Sequence, residues 1–387
     1  MNGLNHRDMS ETNKYVLLKY LATHQQLSRL DLSRLTGLSK MTITAIIGEY
    51  LEKGIVRECG QSVSTGGRKA TLLEIDPTAL LTLGICIGRE YMQVGIVNLR
   101  GNVLDEETVP FSSIGSTADF LNSLFYLCDR MLERPYHDRI WGMGVSCAGP
   151  LSIRQGKVLN PPDFHHIHDV EIVAELQNRY ALPTYLQNDM CVAALAEAYF
   201  GHGQSYRDFL YVGVGAGIGG GVILDQKLYT GAVGLAGAIG HSIVERDGMP
   251  CECGQRGCLE QYASTKAVLQ WAREQSGNAS LSWMELANGA EMGDDLSLRA
   301  LDRMTDYLSM ALINAQIVLD MPCVILGGEL YRAKSYVVER MREKMQDPCL
   351  QWVSRRKVQV EGSSFVGNAA FIGTTVLVME NNLEPGR

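Results

Sequence analysis

The chain has 387 residues, 46% of them hydrophobic and 20% charged, with a formal net charge of -8. Its length exceeds what one core usually serves, so more than one domain is expected. No apolar run approaches a bilayer span, no charged-then-apolar leader opens the chain, and the cysteines outside one cluster lack framework spacing. Membrane insertion and secretion are therefore not expected, and a cytoplasmic location is. Residues 1–76 hold ten Lys/Arg against eight Asp/Glu, a balance of +2 that leaves -10 on the remainder. The sign changes near Asp76-Pro77, where a domain boundary is expected.

Residues 12–75 have the pattern of a winged helix-turn-helix. A helix is expected over about 13–22, with Val16, Leu17, Tyr20 and Leu21 inward. Ser28, three residues before Asp31, can cap a short helix ending near Leu35, and Thr36-Gly37-Leu38 makes the turn. In the next helix, over 39–53, Ile43, Ile46, Ile47 and Leu51 point inward. Ser39, Lys40, Thr42 and Thr44 stand near its exposed start, which can enter a major groove. Strands over 55–58 and 70–75 flank a loop whose two glycines precede Arg68 and Lys69, a wing tip for phosphate or minor-groove contact. The plainer alternative is a small dimerisation module with Arg68 and Lys69 merely solvated. A balance of +2 is a weak grip on DNA for one copy. Two copies in a symmetric dimer would add to it and would match a palindromic operator.

From residue 77 strands are expected over 81–87, 91–98 and 103–110, then a helix over 117–132 and a strand over 140–146. A helix over 170–180 precedes a strand over 184–187. Asn188-Asp189 lie at that strand's carboxyl end and open a helix over 190–200, where α/β sheets place ligands. A second set begins with strands over 209–214 and 221–224. The repetition suggests two α/β lobes, 77–195 and 196–365, the first completed by a helix near 366–380. Gly215-Ala216-Gly217-Ile218-Gly219-Gly220-Gly221 has the spacing GxGxxG, but a strand follows it and offers no helix N-terminus to a pyrophosphate. A tight hairpin with several positive-φ glycines is expected instead.

His241, Cys251, Cys253 and Cys258 place four soft ligands within eighteen residues, with glycines at 254 and 257 to turn the backbone. A tetrahedral Zn²⁺ takes four such ligands, and none is missing to leave an open catalytic position, so a structural Zn²⁺ is expected. Unliganded reduced cysteines are the rival, which leaves three of them together in a polar, Gly-rich segment unexplained.

On these residues the chain resembles transcriptional regulators of the ROK family, which joins repressors and sugar kinases. The knot with Gly257-Cys258-Leu259-Glu260 carries the likeness, as do Asn188-Asp189 before Ala193-Ala194-Leu195-Ala196-Glu197 and the loop Ser64-Thr65-Gly66-Gly67-Arg68-Lys69. The resemblance implies an α/β protein: an N-terminal winged helix-turn-helix, residues 1–76, followed by a two-lobed actin-like sugar-kinase fold with a structural zinc knot. It implies repressor-type control of carbohydrate genes. It also implies that Asn188, Asp189, His241 and Glu260 hold sugar hydroxyls, His241 through its second ring nitrogen. Taken singly, Asp189 would be a helix N-cap and Glu260 a solvated acid.

The chain departs from the family's kinases at the phosphate loops. They open with Asp-Ile-Gly-Gly-Thr, whereas this chain has Cys86-Ile87-Gly88-Arg89-Glu90, which loses the metal-side acid and adds bulk and negative charge where polyphosphate and Mg²⁺ must sit. In the second loop Ala216 replaces a hydroxyl residue. No catalytic residue is assigned. Asp189 could still act as a base, so an ATP-dependent sugar kinase with an added DNA-binding domain is the alternative. Ala238 replaces a glutamate of the family's sugar site, which leaves three outcomes: a ligand unlike glucose, a water in the gap, or a decayed site with another input. Expected partners are operator DNA, further copies in a homodimer or homotetramer, and a small sugar or sugar-phosphate inducer between the lobes. A regulatory protein is the alternative input.

Overall fold

The computed structural model describes residues 6–62, 69–161, 167–346 and 357–383. The chain divides into two units, Met1–Asp189 with Phe371–Arg387, and Met190–Ala370. The division falls at the first residue of a helix, where the sequence pattern put the lobe boundary at 195/196. The N-terminal module lies within the first unit.

That module is built from α1 (His6–Thr23), β1 (Leu27–Ser28), α2 (Arg29–Thr36), α3 (Lys40–Glu52), β2 (Val56–Gln61) and β3 (Thr71–Ile75), with an antiparallel sheet in the order β1-β3-β2. Ser28 and Asp31 form a full reciprocal capping box, each side chain accepting the other's backbone N–H. Gly37 ends α2 at φ 71°, the left-handed conformation that glycine adopts without strain. Two inward faces differ from expectation. On α1 the buried residues are Tyr15, Leu17, Leu18, Leu21 and Ala22, with Val16 and Tyr20 half-buried. On α3 Tyr50 is buried and Leu51 half-buried. Tertiary partners explain both shifts: Tyr50 donates its hydroxyl to the Lys14 carbonyl at 2.8 Å, and Tyr15 donates to Glu380 Oε1 at 3.2 Å.

The rest of the first unit is a five-stranded sheet. Its elements are β4 (Leu81–Ile87), β5 (Tyr91–Asn98), β6 (Val103–Pro110), α4 (Thr117–Leu132), β7 (Ile140–Cys147), the short pair β8 (Leu151–Ser152) and β9 (Lys157–Val158), α5 (Ile172–Tyr180) and β10 (Thr184–Asn188). The order is β10-β7-β4-β5-β6, parallel from β10 to β4 and antiparallel beyond. Ser116 caps α4, whose Phe120, Leu124, Leu127, Cys128 and Met131 share the helical period and are buried. The last helix of the chain, from Phe371 onward in this unit, lies so close to the sheet that side chains would not fit. A Cβ on Gly84 would stand 2.6 Å from Thr374 Oγ1, and one on Gly144 would stand 2.5 Å from the Thr374 carbonyl oxygen.

The second unit runs through α6 (Asp189–Phe200), β11 (Phe209–Val214), β12 (Ile218–Leu224), β13 (Lys227–Tyr229), α7 (Glu260–Ala263), α8 (Thr265–Ser276), α9 (Trp283–Glu291), α10 (Asp295–Leu319), β14 (Cys323–Gly328), α11 (Lys334–Lys344), β15 (Gln359–Gly362) and the start of α12 (Ala369–Leu383). Its sheet has the order β13-β12-β11-β14-β15, with β11, β14 and β15 parallel and β12 and β13 antiparallel. The glycine-rich segment is the expected tight hairpin, β11 running antiparallel into β12 through residues 215–217, but without the expected positive-φ glycines. Gly219, Gly220 and Gly221 are strand residues paired with Gly213, Val212 and Tyr211, and Gly215–Gly221 contributes no positive φ. Close approach is what requires glycine here: a Cβ on Gly221 would stand 2.5 Å from Ala194 Cβ and 2.6 Å from the Met190 carbonyl oxygen. Among the described residues no helix is long and apolar enough to cross a membrane.

Candidate functional site

The exposed start of α3 comes from two local devices, the left-handed turn at Gly37 and a cap at Ser39. Ser39 Oγ accepts the Thr42 N–H at 3.1 Å and lies 2.9 Å from Thr42 Oγ1. Ser39, Lys40 and Thr44 are exposed and Thr42 is half-buried, while Ile43, Ile46 and Ile47 face the module's core. Thr44 donates its hydroxyl proton to the Lys40 carbonyl at 2.7 Å. Lys69 is exposed just before β3; Arg68 lies outside the described residues.

In the second unit His241, Cys251, Cys253 and Cys258 converge, their ligand atoms all within 4.8 Å of one another. Cys251 Sγ is 3.7 Å from His241 Nδ1, and Cys253 Sγ is 3.6 Å from Cys258 Sγ. Two thiolates sharing one tetrahedral metal at Zn–S distances of about 2.3 Å stand about 3.8 Å apart, so the donor set fits such an ion. The backbone makes this spacing: Gly254 and Gly257 take φ 88° and 74°, Cys251 N–H donates to the Gln255 carbonyl, and Gly257 N–H donates to the Met249 carbonyl. Tyr262 in α7 anchors the knot by accepting the Met249 N–H at 2.7 Å and stacks on Tyr307 of α10. Burial pushes the Cys258 thiol up to about 12, helped by Cys253 and Cys251. Burial also opposes ionisation at Cys253, but hydrogen bonds from the Gln255 backbone and the two neighbouring thiols hold it below its ordinary value. A bound cation would favour the thiolate form at Cys258 despite its burial.

The expected sugar contacts are placed as follows. Asn188 ends β10, its N–H donating to Gln187 Oε1 at 2.8 Å, and Asp189 opens α6. In the second unit, His241 closes a short 3-10 turn after Ala238, and Glu260 opens α7 and accepts the Ile218 N–H at 3.0 Å, tying α7 to the start of β12. At the first phosphate-type loop the Cys86 thiol is buried and raised to about 12, by burial and then by the Asp189 charge, so it is a neutral group at pH 7. Phe111 N–H donates to the Glu90 carbonyl, which fixes this loop by its backbone.

A model of the ROK family matches residues 82–381. The chain belongs to the ROK family. Among its relatives, the xylose repressor of Bacillus subtilis (strain 168) is 29% identical over 379 residues, covering 97% of each chain. The glucokinase of Thermotoga maritima is 28% identical over 315 residues, covering 78% of this chain and 98% of its own. Among solved structures, a ROK family transcriptional regulator described as a homologue of the Escherichia coli Mlc protein superposes with a TM-score of 0.81. It is 23% identical and covers 97% of each chain. The α/β fold of this ROK chain is thus shared with repressors and sugar kinases alike.

Two residues of this ROK chain escaped the sequence reasoning. Glu329, in the turn after β14, sets its carboxylate against the second glycine loop: a Cβ on Gly215 would stand 3.0 Å from Glu329 Oε1, and Thr265 Oγ1 donates to Glu329 Oε2 at 3.0 Å. No local pattern reveals that pairing, because the loop and the turn belong to different strands of the sheet. Met41, at the second residue of α3, is 85% exposed. Its signal was present, an apolar residue outside the inward set of its helix.

Proposed function

We propose that this chain is a transcriptional regulator, a repressor of carbohydrate uptake or catabolism genes. Its N-terminal winged helix-turn-helix holds operator DNA as part of a homodimer or homotetramer, and a small sugar or sugar phosphate governs the grip. The carrying observation is length. The match to the xylose repressor runs over 97% of both chains and so takes in the N-terminal module, whereas the family model begins at residue 82 and the glucokinase covers 78% of this chain. Lys40 at the start of α3 and the wing cations Arg68 and Lys69 supply phosphate contacts, with Ser39, Thr42 and Thr44 beside the groove. A pentose is the first inducer to test, given the xylose repressor's name. Asn188, Asp189, His241 and Glu260 are the proposed contacts, and Ala238 disfavours a ligand that needs a carboxylate there.

The same reading assigns a structural Zn²⁺ to His241, Cys251, Cys253 and Cys258, where it would balance the thiolate charge and hold the His241 ring in place. No enzymatic step is proposed. The neutral Cys86, the bulk of Arg89, the charge of Glu90, the lost hydroxyl at Ala216 and the Glu329 carboxylate all oppose a bound polyphosphate.

The test is retention of duplexes selected from a randomised pool by the full-length protein, at a salt concentration of about 50 mM. Release by a sugar panel led by xylose is then measured by anisotropy. An inducer releases DNA only if it prefers one arrangement of the paired modules, so calorimetric binding without release separates occupancy from control. Failure to retain any duplex would remove the regulator reading. Sustained sugar phosphorylation with Mg-ATP, abolished by Asp189→Asn, would replace it with the kinase.

A further inference from the structure

The start of α3 carries three hydroxyls, and hydrogen-bond accounting leaves them one proton to donate to DNA bases. Ser39 Oγ is the N-cap acceptor and shares one hydrogen bond with Thr42 Oγ1; Thr44 gives its proton to the Lys40 carbonyl. Each hydroxyl has one proton to donate, so only one of the three remains unspent, at the cap itself. The groups that stand clear of the protein surface are of another kind. Met41 is 85% exposed, Thr44 and Ala45 are exposed one turn on, and a Cβ on Gly48, two turns on, would meet no heavy atom within 4 Å.

Met41, Ala45 and Gly48 follow the i, i+4, i+7 spacing and so lie along one stripe of the helix, away from buried Ile43, Ile46, Ile47 and Tyr50. The stripe is low in relief, and α3 has no acidic residue in its first turn; Glu49 is held by Lys14 at 3.0 Å and by Lys53 at 2.7 Å. A smooth apolar surface of this kind has one counterpart on the base edges of a major groove, the C5-methyl group of thymine. Methionine suits the contact, being unbranched, flexible and polarizable.

We propose that Met41 is the specificity-determining residue of α3, and that it reads thymine methyl groups by apolar contact, with Ala45 and the Thr44 methyl group beside it, while Lys40 positions the helix on the phosphates. The inference rests on the DNA-binding reading. It assigns base preference to the one exposed residue of the first turn whose side chain carries no hydrogen-bonding group, in place of Thr42 and Thr44.

The experiment uses the full-length protein and a duplex it selects from a randomised pool. Each thymine in the bound half-site is replaced in turn by deoxyuridine, which removes only the methyl group. Affinity should fall about fivefold or more at one or two positions, the low end of what a wrong base pair costs at a specific site. For Met41→Ala the thymine and deoxyuridine duplexes should bind within about twofold of each other, with the salt slope unchanged because no phosphate contact is lost. Met41→Leu should restore the methyl discrimination. The exposure of Met41 leaves the core untouched in both variants. If no duplex is retained, the DNA-binding reading falls and this inference with it. If duplexes bind but deoxyuridine is neutral everywhere, or discrimination survives Met41→Ala, only the Met41 assignment is overturned.

Discussion

The two units hold the same five-stranded topology, β10-β7-β4-β5-β6 in the first and β15-β14-β11-β12-β13 in the second, three parallel strands followed by two more joined by antiparallel pairing. They differ in where they spend glycine. In the first sheet Gly84 and Gly144 admit α12, and the hairpin turn at Gly88-Arg89-Glu90 is open: a Cβ on Gly88 would meet nothing closer than the Tyr91 carbonyl oxygen at 3.4 Å. In the second sheet Gly219 and Gly221 admit α6, and the turn before them is closed by Glu329. Only the second unit, among the described residues, inserts a metal-ligand knot. The same scaffold thus carries charged residues at one of these turns and a carboxylate beside the other.

The largest effect should come from the knot, because the proposed metal binding there would be coupled to folding. Cys253→Ser or Cys258→Ser should drop the zinc content from one equivalent per chain to well below one, measured by elemental analysis of untagged protein. Structural zinc is worth on the order of 10 kcal/mol in isolated finger peptides, so a loss of several kcal/mol confined to the second unit is expected. Hydrogen exchange should show that unit losing protection while β4, β5 and β7 keep theirs. Equal loss in both would break the contrast between the units.

Next in size is the glycine contrast itself. Gly221→Val should destabilise the chain by about 2–3 kcal/mol, since the new side chain meets backbone and Ala194 and overpacking costs about that much. Gly88→Ala should cost under about 1 kcal/mol, within the range of a surface substitution. Denaturant melts of the two variants give the comparison, and equal costs would refute the close-approach account.

In the N-terminal module the expected effects are smaller. Lys69→Ala should weaken DNA binding across sequences and lower the salt slope by about one, as for one phosphate contact; an unchanged slope removes Lys69 from the wing. Ser28→Ala should cost about 1 kcal/mol, the usual worth of an N-cap. Its pH dependence has a defined sign. Hydrogen bonds from the Ser28 side chain and then its backbone hold the Asp31 carboxyl below its ordinary value, so this stability is present above the unfolded carboxylate pKa and is lost as pH falls through the lower folded value. The variant's acid limb in a stability-against-pH profile should be shallower than the parent's.

Where an element's signals lie within its own span, the sequence alone determined it. The spans 81–87, 91–98, 103–110 and 117–132 coincide with β4, β5, β6 and α4, because period and caps are local. The four knot ligands were legible for the same reason: they sit within eighteen residues, and their chemistry is written in their types. Tertiary structure decided what depends on distant partners. The inward face of α1 moved to include Tyr15 because Glu380 receives its hydroxyl, and Tyr50 displaced Leu51 because the Lys14 carbonyl receives Tyr50's. The glycines at 219–221 had a visible spacing but a hidden cause, α6 pressed against the strand rather than φ > 0. At α3 two of the three hydroxyl protons that look free in the sequence are already donated, one between Ser39 and Thr42 and one to the Lys40 carbonyl, while Met41 stands exposed. A residue type announces which bonds it can make, but only the fold shows which of them are already taken.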